Sequence, residues 1–190
     1  EKHHNPEMLY LPYNVKDDKG KIIKELPVSP GTDLNQKLIF GNYLSCNGVF
    51  VRRDIILLHP FDTTRAMSAS EDYNLWLRLA ARYKIYYSNV ITSSLINHDS
   101  RSVFLIKKDS LIQRISLLIE TCNNDPIIKK VYAKDLDTFT AKCYLYISLH
   151  LAMSKYKKDS IHFLIKGIKT HPLSIFDERM YGIIKCLLIY

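Results

Sequence analysis

The sequence predicts an α/β chain in two parts, a mixed first part of residues 1–104 and a helical extension of residues 105–190. Three observations predict it. Short apolar runs rich in β-branched and aromatic residues, bounded by turn formers, fill the first part. A helical period of 3.6 dominates the second. The charge divides at the same point: Glu1 to Phe104 holds 13 basic and 11 acidic residues, net +2, and Leu105 to Tyr190 holds 14 and 8, net +6.

The strand-like runs are Met8-Leu9-Tyr10-Leu11, Lys21-Ile22-Ile23, Gly48-Val49-Phe50-Val51 and Lys84-Ile85-Tyr86-Tyr87. Between the first two, Asp17-Asp18-Lys19-Gly20 offers an acidic pair to a metal, but Asp and Gly here supply hairpin-turn geometry. One helix is expected from about Glu71 to Arg82. Four more follow from apolar stripes. Leu111, Ile115, Leu118 and Ile119 make the first, and Leu136, Phe139, Cys143, Ile147, His150 and Leu151 the second. Ile161, Leu164, Ile165 and Ile168 make the third, stopped by Pro172. Met180, Ile183, Ile184 and Leu187 make the fourth, behind an Asp177 cap. Helices joined by short loops are expected to pack as antiparallel pairs.

Composition bounds the function classes. The 190 residues carry +8 at pI 9.2, with 47% hydrophobic and 24% charged residues, which is enough to bury a core and excludes a disordered or low-complexity chain. No run approaches the ~20 consecutive apolar residues of a membrane span. Cys46, Cys122, Cys143 and Cys186 lie 76, 21 and 43 residues apart, without the close pairs of zinc or redox motifs, and read as reduced core thiols of a cytoplasmic protein. The basic charge invites nucleic acid. Against that, Lys and Arg are dispersed and the aromatics are not interleaved with them, so no nucleic-acid partner is expected. The opening Glu1-Lys2-His3-His4-Asn5 has neither Met nor secretion signal, as expected of a piece of a longer protein.

The stretch from Ser68 to Ala80 carries the most chemistry. Ser68 and Glu71 have capping-box spacing, which accounts for Glu71 structurally. Helical counting places Asp72 in register with Leu75, Trp76, Leu79 and Tyr83, the face that meets the sheet. A carboxylate at the rim of a buried face is hydrogen-bonded, paired or kept for chemistry.

The run Asn42, Ser45, Val49-Phe50-Val51-Arg52-Arg53-Asp54, Pro60-Phe61-Asp62, Ser70-Glu71-Asp72-Tyr73-Asn74-Leu75-Trp76-Leu77-Arg78-Leu79-Ala80 and Tyr83-Lys84-Ile85 resembles the second half of the catalytic domain of family 2 glycosyltransferases, which have the GT-A fold. The resemblance covers roughly Asn42 to Ser102. It departs at His59-Pro60, where the family often has two glycines. It implies inverting transfer of a sugar from a nucleotide-sugar donor to the hydroxyl of a saccharide or lipid-linked acceptor, in bacterial polysaccharide or glycoconjugate biosynthesis. Asp72 matches the general base, with Glu71 orienting the acceptor or capping the helix, and Trp76 falls among the substrate-binding positions. His98, in Leu95-Ile96-Asn97-His98-Asp99-Ser100-Arg101-Ser102, matches a histidine that in some relatives completes a divalent-metal site, Mn or Mg. Arg52, Arg53 and Arg101 are the donors suited to diphosphate oxygens.

The amino-terminal nucleotide-binding half and the Asp-x-Asp motif that mostly holds the metal in this family are absent from the 190 residues, so the first part is expected to be an α+β fragment carrying the acceptor side. The processive Gln-x-x-Arg-Trp element is absent too, which favours single additions. The tail resembles carboxy-terminal extensions of some bacterial members, and its last hairpin resembles one tetratricopeptide-type unit. Its +6 charge admits peripheral contact with an anionic membrane at the inner face of the cell membrane, and equally admits Lys residues that only solvate helix faces. The alternative function is a helical protein-interaction or membrane-docking module without catalytic activity.

Overall fold

The computed structural model describes residues 5–97 and 107–189. Together they are of the mixed α and β class, and they form two units. Residues 5–63 and 71–97 make the first, and residues 64–70 and 107–189 the second. The boundary expected after Phe104 thus has an addition. Thr64–Ser70, in the middle of the first part, belongs with the helices, because fully buried Met67 and the turn Arg65–Met67 pack on the first helix of that unit.

The first unit holds two three-stranded sheets. β1 (Met8–Tyr10) is central in one, antiparallel to β4 (Val49–Val51) and parallel to β5 (Ile85–Tyr87). β2 (Tyr13–Lys16) is central in the other, antiparallel to β3 (Ile22–Leu26) and parallel to β6 (Ser93–Ile96). Only Leu11 and Pro12 separate the two central strands. Pro12 has no N–H for a ladder, and a switch of sheet is where that lack is harmless. The β2–β3 connection is the expected hairpin turn. Asp17 Oδ1 accepts from the N–H groups of Lys19 (3.0 Å) and Lys21 (2.8 Å), and Gly20 takes φ +83°, which only a residue without Cβ adopts freely.

Three short helices complete this unit: α1 (Leu34–Leu38), α2 (Arg53–Leu58) and α3 (Glu71–Ala80). α3 buries Leu75, Trp76, Leu77 and Leu79. Asn35 ties α1 to the end of α3 and to β5, its amide donating to the carbonyls of Ala80 (2.7 Å) and Tyr83 (2.6 Å) while its oxygen accepts from Ile85 N–H (2.9 Å).

The second unit contains α4 (Lys108–Asn124), α5 (Pro126–Val131), α6 (Leu136–Met153), α7 (Lys157–Thr170) and α8 (Arg179–Ile189). The short α5 adds to the four expected helices. Asp125 caps it, accepting from Ile127 and Ile128 N–H, and Pro126 fills its first position. α6 is the central helix, packed by α4, α7 and α8, which is why Phe139, Ala141, Cys143, Leu145, Ile147 and Leu151 are all buried. Ser160 at the start of α7 meets Ser148 late in α6, and Gly167 late in α7 faces Ala141, so the pair is antiparallel.

The stripe expected on α7 holds for Leu164 and Ile168, which pack on the core, and is corrected for Ile161 and Ile165, which are exposed; the buried positions are Ser160, Phe163 and Gly167. Small residues carry this contact, because they let the backbones approach until each serine hydroxyl donates to the other's carbonyl at 2.9 Å. Likewise Ile184 on α8 faces outward, while Met180 and Ile183 pack on Leu145.

Asp177 does begin α8, accepting from Arg179 N–H at 3.0 Å. Its carboxylate is 4% exposed and paired with Lys142 (2.7 Å) and Arg179 (3.0 Å). Burial acts to raise its pKa, but the Lys142 hydrogen bond, the Arg179 N–H and the two cations outweigh burial and hold it below the ordinary range. A folded pKa below the unfolded one gives stability that is complete above the ordinary Asp value of about 3.9 and is lost as pH falls through the folded value. Asp177→Asn is therefore expected to cost about 2–3 kcal/mol at neutral pH. It should also flatten the acid arm of a thermal-melting profile; an unchanged acid arm would remove Asp177 from that role.

Candidate active site at the start of helix α3

Asp72 stands in the first turn of α3, half-buried, with one carboxylate oxygen accepting from Tyr73 N–H at 2.6 Å. The Asn42 side chain donates a second hydrogen bond to it. Tyr73 on the next position anchors the turn, its hydroxyl donating to the Leu38 carbonyl at 2.9 Å. Burial raises the Asp72 pKa above the ordinary carboxylate range. The Tyr73 N–H works against that, the Glu71 charge adds to it, and Asn42 lowers it again. The outcome is a rigidly held carboxylate that is more basic than usual.

Glu71 occupies the first position of α3, not the third, so the capping box expected with Ser68 is not formed. One of its oxygens, Oε2, is buried with no hydrogen-bond partner among the described residues. Two carboxylates thus open the helix together, one fixed by donors and one with acceptor capacity to spare.

Cys46 joins them from a different segment. It begins the turn Cys46–Gly48, and its thiol pKa is raised, first by partial burial and then by the charges of Asp72 and Glu71. Cys46 is also exposed, which corrects its reading as a core thiol; Cys122 and Cys143 are buried, with the Cys122 thiol pushed up to about 12 by desolvation. Nothing in the sequence links Cys46 to Asp72. Their proximity is created when β4 pairs with β1 and draws the preceding turn alongside α3.

That coupling is measurable without any substrate. Removing the Asp72 charge by Asp72→Asn is expected to accelerate alkylation of Cys46 by iodoacetamide severalfold, because the thiolate is the reacting species. Cys46→Ser identifies the labelled site. An unchanged rate would separate the thiol from the carboxylates.

The other expected residues are placed as follows. Trp76 is 3% exposed, with its Nε1 buried and unpartnered among the described residues, so it serves as core and not as a sugar platform. The ring offered to solvent is Phe61, 39% exposed, which meets Trp76 edge-on with centroids 6.0 Å apart. Arg52 is engaged by Asp54 through two hydrogen bonds of 2.7 and 2.9 Å and by Glu7 at 3.8 Å, so its charge is shared with two acids of its own unit. Arg53 opens α2 and is exposed. His98 and Arg101 lie outside the described residues.

Among the described residues, no group of three or more His, Cys, Asp or Glu side chains is arranged to hold a metal. The donor set at Asp72 does not fit one either, since its carboxylate already accepts from Tyr73 and Asn42 and only Glu71 stands beside it with an oxygen to offer. A cleft of about 580 Å³ lies at the opposite end of α3, lined by Asp33, Asn35, Arg82, Tyr83 and Lys84. The Asn35 bonds that wall it are structural, and it is separate from the carboxylates. Compared with protein-family models, curated proteins and solved structures, the chain matches none.

Proposed function

We propose that this chain carries the acceptor side of an inverting GT-A glycosyltransferase of the family 2 type, acting in bacterial polysaccharide or glycoconjugate assembly. The observation that carries the reading is the pair Glu71–Asp72 at the head of α3, with Asp72 half-buried, held by two donors and raised in pKa. Desolvation and a neighbouring carboxylate are what bring a general base nearer to working pH.

In the reaction, Asp72 takes the proton of the acceptor hydroxyl as that oxygen attacks the anomeric carbon of the nucleotide-sugar. The new glycosidic C–O bond forms on the face opposite the leaving group. The bond from the anomeric carbon to the diphosphate oxygen breaks with its electron pair on the nucleotide. Glu71 stands beside the base, where its charge raises the Asp72 pKa further, and the exposed face of Phe61 gives a sugar ring an apolar surface. The partners are thus a nucleotide-sugar and a saccharide or lipid-linked acceptor, at the cytoplasmic side. A divalent metal, Mn or Mg, is the cofactor expected of this class, and no step above is routed through it.

The test is a panel of nucleotide-sugars presented to the full-length protein with saccharide acceptors, reading released nucleoside diphosphate and the anomeric configuration of the product. Transfer with inversion supports the reading. Retention of configuration, or release of nucleotide unaffected by substitution of Asp72, sinks it.

A further inference from the structure

We propose that the outer face of α8 docks the helical unit on an anionic lipid bilayer. Tyr181, Ile184 and Leu188 recur at three- and four-residue steps and form one ridge, exposed by 76%, 48% and 80%. Phe176, 84% exposed, ends the turn Pro172–Phe176 just ahead of the helix. The opposite face of α8 is committed to the core through Met180 and Ile183, and the ridge is exposed among the described residues of the unit. Large apolar side chains in a continuous exposed row mark a contact surface.

Charge selects the occupant. From Met153 to Ile189 there are seven Lys and Arg against three acids. Asp159 is paired with Lys108, and Asp177 is buried between Lys142 and Arg179, which leaves Glu178 as the acid outside an ion pair among the described residues. A second copy would bring a second Lys185 to the same ridge, like charge against like. Lys185 stands on the ridge itself, between the turns of Ile184 and Leu188. Lysine is depleted where proteins meet proteins, whereas at a bilayer its stem lies among apolar groups and its ammonium reaches the lipid phosphates. None of the described helices is long and apolar enough to cross a membrane, so the contact is peripheral, with the ridge at the boundary of headgroups and acyl chains. This surface is independent of the Asp72 site and of the transferase reading.

Flotation of the full chain with vesicles of phosphatidylcholine alone, and with an equimolar mixture of phosphatidylcholine and phosphatidylglycerol, tests it. Binding is expected only to the anionic vesicles, weakening as salt is raised. Ile184→Ser with Leu188→Ser should lower the bound fraction by roughly tenfold or more, and Lys185→Gln by roughly fivefold. All three side chains are exposed, so helical circular dichroism should stay at wild-type levels and confirm folding. Equal flotation on both vesicles, or variants that float like wild type, would overturn the proposal. So would absence of flotation, whether or not the chain self-associates or captures an acidic protein instead.

Discussion

Asp72→Asn in the full-length protein is expected to abolish sugar transfer, a loss of at least about 10²-fold in kcat, with nucleotide-sugar binding nearly intact. A positioned base contributes about 10²–10⁴-fold to such a step, and the amide cannot take the acceptor's proton. Folding should survive, because the Asn oxygen still accepts from Tyr73 N–H and a half-buried charge has been removed. The pH profile supplies a second readout. Since the Asp72 pKa is raised, the acid limb of the rate should lie above the ordinary carboxylate range. Asn42 lowers that pKa, so Asn42→Ala should move the limb to still higher pH. Transfer by Asp72→Asn at the wild-type rate, or an acid limb indifferent to Asn42, would take the base role from Asp72.

Gly48→Ala should be the most damaging small substitution in the first unit. A Cβ built at Gly48 lies 2.2 Å from the Leu11 carbonyl oxygen and 3.3 Å from the Tyr10 ring. The obstruction is backbone, so no side-chain rotation relieves it. Gly48 O also accepts from Leu11 N–H at 2.8 Å, which holds the two segments at this spacing. The clash is expected to cost more than about 3 kcal/mol, beyond the usual range for one added methyl group, and to lower the melting temperature by roughly 6 °C or more. Gly48 ends the turn that begins with Cys46, so the alkylation rate of Cys46 should change too. A variant that melts with wild type would mean that the two strands separate without penalty.

The helix at Glu71, the Asp17 turn and the Asp177 cap were legible because each rests on local chemistry: periodicity, a side-chain acceptor and a left-handed glycine. The two-sheet arrangement was not, since strands of three to five residues pair with partners far along the chain and carry almost no periodic signal. The face of α7 keeps Leu164 and Ile168 but is turned away from Ile161 and Ile165, because hydrophobicity ranks Ile161 above Ser160 while close helix packing prefers Ser160 and Gly167. α5 had a readable signal in Asp125-Pro126, a cap followed by a first-position proline. At the site, Asp72 followed from helical register. The burial of Trp76, the partners of Arg52 and the arrival of Cys46 are tertiary facts, and no spacing rule encodes them.

The placement of β1 and β2 at the middle of their sheets has a consequence for assembly on the ribosome. Met8 pairs with Ile85, and Tyr13 with Ser93, so both central strands wait for edge strands made much later. The first sheet cannot close until Tyr87 has emerged, nor the second until Ile96 has, and such non-local pairing is slow because loop closure precedes any return from contacts. The helices from α4 onward fold on contacts closer in sequence. Synthesis therefore leaves the first unit's strand edges open longest, and this interval is when a chaperone has most to protect.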